Sequence, residues 1–216
     1  MTNEIHLVKY LKYFMGIPKT YPLRKRREVL AFKKELEKLG VEVHLDVGSD
    51  VAEITEGYSK ANLDSYIISH LTSNVLIPHL FNGYKRKRKE RVFKEIEEQY
   101  IKYLSSPPIC VCLFTGDDDF IPIAQQLESY SQGEIKVYFA SHPCIASESI
   151  RSHRFINLED INLSPPWNKG TVIATIDGNN YLNSLAIGKV QGLSHREDWS
   201  SILSITKDIF TRLNLI

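Results

Sequence analysis

Three adjacent aspartates close a run of apolar residues in PPICVCLFTGDDDF, residues 107–120. The apolar stretch suits a buried parallel strand, Gly116 turns the chain, and a helix follows at 119–130 with Pro122 in its first turn, where proline is tolerated. Asp117, Asp118 and Asp119 repel one another, and one helix cap does not need three carboxylates. A divalent cation such as Mg²⁺ or Mn²⁺ would offset the repulsion, because both prefer hard oxygen ligands. Asp177 ends a second run of β-formers, TVIATI at 171–176, and IDGNN leads from it into a helix. In open α/β sheets, sites lie at the carboxyl ends of strands, where both Asp117 and Asp177 fall. A third candidate, Asp64, lies on the helix that follows Lys60. Each carboxylate also has a plain structural alternative. Asp119 suits a helix cap, Asp-Gly at 177–178 suits a turn, and Asp64 suits an exposed position near a helix start.

The elements that must position these residues alternate along the chain. Residues 5–14 alternate enough to read as a strand, with a helix as the alternative; 23–40 read as a helix stopped by Gly40, 41–45 as a strand and 60–80 as a helix. A long charged helix is predicted from about 84 to 103. EIKVYFA and FINLE are strands on either side of a short helix in ASESIRS, and a last helix covers about 196–213. Such alternation predicts a mostly parallel sheet covered on both faces. The chain of 216 residues, 43% hydrophobic with a net charge of +1, suits one domain. No apolar run approaches the ~18 residues of a membrane span. Lys9 and Lys12 interrupt the N-terminal apolar stretch, unlike a signal peptide. Three cysteines do not make a disulfide framework, and Cys110 and Cys112 read as buried thiols, so a reducing, cytoplasmic setting is expected.

The small net charge hides clustering. KRKRKER at 85–91 holds six basic residues in seven, and RKRR at 24–27 adds four. Acidic partners such as Glu95, Glu97 and Glu98 explain the later part of that helix as a solvated face. They explain Lys85, Arg86, Lys87, Arg88 and Lys89 poorly. A positive surface attracts a phosphate backbone without reading sequence, which makes these five residues candidates for nucleic-acid contact. Tyr58 and Tyr84 are candidates for stacking on bases or for packing.

Taken together, TGDDDF, ASESIRSHRFINLED and IDGNN resemble the NYN family of PIN-like ribonuclease domains, in its LabA-like branch. The family's first strand ends in Asp-Gly-x-Asn, its second element carries a Lys followed by Asp, and its most diagnostic motif is Ser-Gly-Asp-Ser-Asp-Phe. The resemblance covers most of the chain outside the basic stretch at about 82–106. It implies a three-layer α/β/α fold with a mostly parallel central sheet. It also implies a metal-dependent endoribonuclease in which Asp177, Asp117 and Asp119 bind Mg²⁺ or Mn²⁺ and Asp64 assists. Asn180, Lys60 and Ser147 would orient ligands or contact RNA phosphate. The chain departs from the pattern at Asp118, where a small residue is usual, in the longer Lys60–Asp64 spacing, and at His70, which stands where relatives carry an acid and which reads as a partly buried helix histidine.

The order of the motifs is rotated relative to the family. Residues 1–161 correspond to its second to last elements, 162–170 form a linker, and 171–216 correspond to its first strand and helices. This implies a circular permutation of one domain, which is easy when chain ends lie close together. A strand exchanged within a homodimer, or a fragment of a tandem array, would give the same order. Two other functions stay open: a non-catalytic RNA-binding module, and a phosphatase of the haloacid dehalogenase type, although Phe120 and Ile121 stand where that family has small and hydroxyl residues.

Overall fold

A computed structural model describes residues 7–17, 21–47, 60–80, 109–160, 162–188 and 199–216. Within them, six strands form one sheet: β1 (Leu7–Ile17), β2 (Glu42–Val47), β3 (Ile109–Phe114), β4 (Ile135–Ser141), β5 (Phe155–Asn157) and β6 (Gly170–Asp177). The spatial order is β2-β1-β6-β3-β4-β5, and every neighbouring pair is parallel. The sequence reading expects a mostly parallel sheet, and here it is wholly parallel.

The helices are α1 (Leu23–Lys38), α2 (Lys60–Leu71), α3 (Ile121–Tyr130), α4 (Glu148–Ser152), α5 (Gly178–Gly188) and α6 (Trp199–Arg212). They make two layers. One core joins Val29, Phe32 and Leu36 of α1, Tyr181 and Leu185 of α5, and Ile202, Ile209 and Phe210 of α6 to one sheet face. The other joins Leu63, Ile67 and Leu71 of α2, Ile123, Ala124 and Leu127 of α3, and Ile150 of α4 to the opposite face. The result is a three-layer α/β/α arrangement. No helix among the described residues is long and apolar enough to cross a membrane.

Sequence explains the placement of the central strands. ICVCLF and GTVIATID are buried at every position, as continuous apolar runs covered on both faces should be. Cys110 and Cys112 are buried thiols, as expected. β6 lies between β1 and β3, with Leu7–Phe14 opposite Gly170–Asp177 on one side and Ile109–Phe114 opposite Thr171–Ile176 on the other. A strand near the end of the chain is thus the centre of the sheet. α1 stops as its sequence suggests: Gly40 takes a left-handed φ of +82°, and the Val41 N–H reaches back to the Leu36 carbonyl at 3.2 Å, closing the helix end.

The stretch at 162–170 differs from a loose linker. Trp167 is buried in the first core, and its indole N–H donates to the Leu213 carbonyl at 3.1 Å. An aromatic anchor of this size holds the approach to β6 against α6.

Candidate active site

The helices that follow the two adjacent strands β6 and β3 leave for opposite faces. α5 packs with the first core and α3 with the second. The strand order therefore reverses between Asp177 and Thr115, at the carboxyl edge, the position at which ligands bind in open α/β sheets.

Asp177, the last residue of β6, is 3% exposed. Thr115 joins it to the aspartate run: the Thr115 hydroxyl donates to Asp177 Oδ2 at 3.3 Å and accepts from the Asp117 backbone N–H at 3.2 Å. From the other side, the Asn180 side-chain amide donates to Asp177 Oδ2, and the Asn180 backbone N–H donates to Oδ1 at 3.4 Å. Burial pushes the Asp177 carboxyl above its ordinary range, the bonds from Asn180 and Thr115 pull it back, and the charge of Asp117 raises it again. Desolvation wins, which is the usual outcome for a carboxylate taken out of water. Asn180 thus orients an acidic group, and Asp177 also caps the start of α5.

The aspartate run divides its labour. The sequence reading gives the helix cap to Asp119, but Asp117 takes it, with Oδ1 accepting from the Asp119 backbone N–H at 3.2 Å. The reason is a short 3₁₀ turn, Asp118–Phe120, that precedes α3 and so starts the helical stretch earlier. Phe120 is fully buried and ties that turn to the second core. Asp117 is half-buried, whereas Asp118 and Asp119 are exposed. Ser147 caps α4, its oxygen accepting from the Ile150 N–H at 3.1 Å, and its hydroxyl donates to Asp118. Asp118 thereby links the acidic turn to the start of α4.

Two glycines permit this closeness. A Cβ on Gly178 would lie 2.5 Å from the Phe14 carbonyl oxygen and 2.6 Å from Tyr13 Cε1. One on Gly116 would lie 2.9 Å from the Ile145 carbonyl oxygen. Close backbone approach is one of the uses that only glycine serves.

Asp64 occupies the first turns of α2. At 100° per residue, Asp64 and Tyr66 flank the buried seam of Leu63, Ile67 and Leu71 on opposite sides. Tyr66 meets His44 of β2, so Asp64 falls on the side of β6 and the Asp118–Phe120 turn, against which α2 also packs. Lys60 is the first residue of α2. His70 is buried, as expected, with its Nδ1 2.9 Å from the Asn74 amide. Burial lowers its pKa to about 4, so its ring is neutral at physiological pH and cannot replace an acid. Lys85, Arg86, Lys87, Arg88, Lys89, Tyr58 and Tyr84 lie outside the described residues.

The sequence reading missed two groups. Thr115 links the two carboxylates, and a Thr after a buried strand carries no distinctive signal. Tyr13 is the other: its hydroxyl is buried without a hydrogen-bond partner among the described residues. Burial, then Tyr181 and Asp177, hold its pKa well above the ordinary value, so it stays protonated. Its membership of a strand was legible, but its nearness to Asp177 depends on β6 pairing with β1.

Among the described residues, no three or more His, Cys, Asp or Glu side chains stand close enough together to hold a metal ion. Comparison with protein-family models, with curated proteins and with solved structures gave no match.

Proposed function

We propose that this chain is a metal-dependent endoribonuclease of the NYN, PIN-like type, with its elements in circularly permuted order. The observation that carries the reading is the link between Asp177 and Asp117 at the switch point through Thr115, which bonds Asp177 across 62 residues of sequence. The permuted order has its own support. Counted from β6, the sheet reads 3-2-1-4-5-6, the arrangement of doubly wound folds. Lys9 near the start of β1 bonds the side chain of Asn214, just past α6, at 3.0 Å, so α6 can lead directly back into β1.

The two linked carboxylates, Asp177 and Asp117, supply part of the oxygen set that a hard divalent cation takes. The donors are all oxygen, and Asp177 is a buried carboxylate that desolvation pushes above its ordinary range. Asp177 and Asp117 would hold Mg²⁺ or Mn²⁺, with exposed Asp119 and half-buried Asp64 at the rim. When bound, such an ion lowers the pKa of a water and neutralises charge on a phosphate. The protein's own residues do the rest. Asn180 fixes the plane of the Asp177 carboxylate, and Thr115 sets its distance from Asp117. The link between Ser147 and Asp118 holds the acidic turn in place. No covalent nucleophile is required.

The test is cleavage of single-stranded RNA with Mg²⁺, Mn²⁺ or EDTA, alongside a generic phosphomonoester. The proposal expects RNA cleavage that EDTA abolishes and that Asp117→Asn loses by at least ~100-fold, with the fold intact because a crowded carboxylate has gone. RNA binding without cleavage would make the chain a non-catalytic RNA-binding module. Turnover of the phosphomonoester alone would make it a phosphatase.

A further inference from the structure

Gly16 stands two residues past the level of Asp177 on the neighbouring strand, since Phe14 is the register partner of Asp177. Its position is half-buried, and so is that of Asn179. Among the described residues, a Cβ placed on Gly16 would meet one group within 4 Å outside its chain neighbours, the Asn179 side-chain Nδ2 at 3.7 Å. The missing side chain therefore leaves a notch, and the Asn179 amide forms its wall. We infer that this notch receives the ribose 2′-hydroxyl of the nucleotide whose 3′-phosphate lies at Asp177 and Asp117, and that Asn179 recognises it. The inference rests on the ribonuclease reading and adds the group by which that site tells RNA from DNA.

The notch and the acidic pair share one face of the sheet. Phe14 packs in the second core, whereas Tyr13 and Met15 pack in the first. Side chains alternate along a strand, so a side chain at Gly16 would project on the Phe14 side. Ile176 packs in the first core, so Asp177 also projects on the Phe14 side, where Thr115 bonds it. One strand spacing and two residues of rise put the Gly16 and Asp177 Cα atoms about 8 Å apart. Asp117 flanks Asp177 from beyond β3, and Asn179 flanks it from over the end of β1. In a ribonucleotide the 2′-hydroxyl sits on the carbon next to the one that carries the 3′-phosphate. A phosphate at Asp177 thus brings that hydroxyl within reach of the notch.

The chemistry of the wall selects the occupant. Asn180 spends its amide on Asp177 Oδ2, but the Asn179 side chain makes no hydrogen bond to a described residue. Its amide offers both a donor and an acceptor. A 2′-hydroxyl is likewise a donor and an acceptor, and it is the group that separates RNA from DNA at a given position. A phosphate oxygen only accepts, and it carries charge. Here it would meet carboxylates, Asp177 on β6 and Asp46, the register partner of Gly16 on β2, with no cation from Asn179 to offset them. A neutral hydroxyl meets no such repulsion. Gly16 serves the same end, since a Cβ would occupy the space that the hydroxyl needs.

The experiment first maps the main cut in a single-stranded RNA octamer with Mn²⁺. It then compares that octamer with one carrying a single 2′-deoxynucleotide on the 5′ side of the cut. The parent should cleave the all-RNA octamer about 10-fold faster in kcat/KM, as one good hydrogen bond allows. Asn179→Ala should slow the all-RNA octamer about 10-fold and leave the deoxy octamer unchanged, so the preference disappears. Gly16→Ala should do the same, because only the hydroxyl competes with the new methyl group. That methyl group lies at ordinary contact distance from Asn179, and Gly16 does not take a left-handed φ. Circular dichroism and Tm of both variants should therefore match the parent. A structural role alone would slow both octamers alike, and that result overturns the inference, as does a preference that survives either substitution. A parent that cleaves both octamers equally overturns the notch and leaves the ribonuclease reading intact. A parent that cleaves neither overturns both. RNA products ending in a 2′,3′-cyclic phosphate would make the hydroxyl a nucleophile and overturn the inference together with the metal-bound water of the proposed function.

Discussion

Replacing Gly178 by alanine tests the geometry on which the candidate site depends, whatever the site turns out to do. The new methyl carbon would start 2.5 Å from the Phe14 carbonyl oxygen and 2.6 Å from Tyr13 Cε1. Neither atom can move away cheaply. The carbonyl belongs to a strand paired on both sides, and the Tyr13 ring is fully buried against Phe32 and Tyr181. An ordinary contact needs close to 1 Å more, so α5 must lift from the end of β1. Overpacking of this kind costs about 1–3 kcal/mol, and the rigid neighbours put this case at the upper end. Alanine at a helix start returns about 1 kcal/mol through propensity and reduced unfolded-state entropy. The net loss is then about 2 kcal/mol, which for a chain of this size lowers Tm by roughly 4–8 °C. Thermal unfolding followed by circular dichroism reads the shift. The same displacement moves Asp177 and Asn180, so Mn²⁺ affinity measured by calorimetry should fall as well. A variant that melts within about 1 °C of the parent would show that α5 does not rest on β1 at this point, and the placement of Asp177 would fall with it.

Thr115→Val keeps the shape of the buried side chain but removes the hydroxyl, leaving the Asp117 N–H without its acceptor. A loss of about 1–3 kcal/mol is expected from urea unfolding, and unchanged stability would mean the link between the carboxylates is not formed. Asp177→Asn should stabilise the metal-free protein in a pH-dependent way. The folded-state pKa of Asp177 is raised, so the wild-type protein loses this contribution as pH rises through that value. The advantage of the variant should be small below pH ~4 and grow toward neutrality; a flat or inverted difference across unfolding curves in EDTA would count against the burial of the charge. Replacing Lys85, Arg86, Lys87, Arg88 and Lys89 with glutamines should weaken RNA binding without sequence preference. The slope of log affinity against log salt should become shallower by roughly 0.7 per lost contact, and an unchanged slope would show that RNA approaches by another face.

Much of this molecule was legible in the order of its residues. The continuous apolar runs in β3 and β6 predict strands covered on both faces, and both strands lie in the middle of the sheet. Helical periodicity and Gly40 locate α1, and the charge crowding of Asp117, Asp118 and Asp119 marks the acidic turn. These signals are local: strand burial, helix amphipathicity and turn chemistry are written within a few residues of one another. Division of roles within the aspartate run was not legible, because a 3₁₀ turn that moves the cap from Asp119 to Asp117 depends on where Phe120 finds its core. Nor was the packing of 162–170, where one tryptophan makes a fixed strap out of a loop-like composition.

What tertiary structure alone decided is which distant residues became neighbours. Asp177 and Thr115 meet because β6 inserts between β1 and β3. Tyr13 comes near Asp177, and Phe14 stands between Asp177 and His44, for the same reason. No pattern within β1 states which strands will flank it, since both of its edges offer the same backbone donors and acceptors. The choice comes from burying six strands under two helical layers at once, a global condition that no single segment carries.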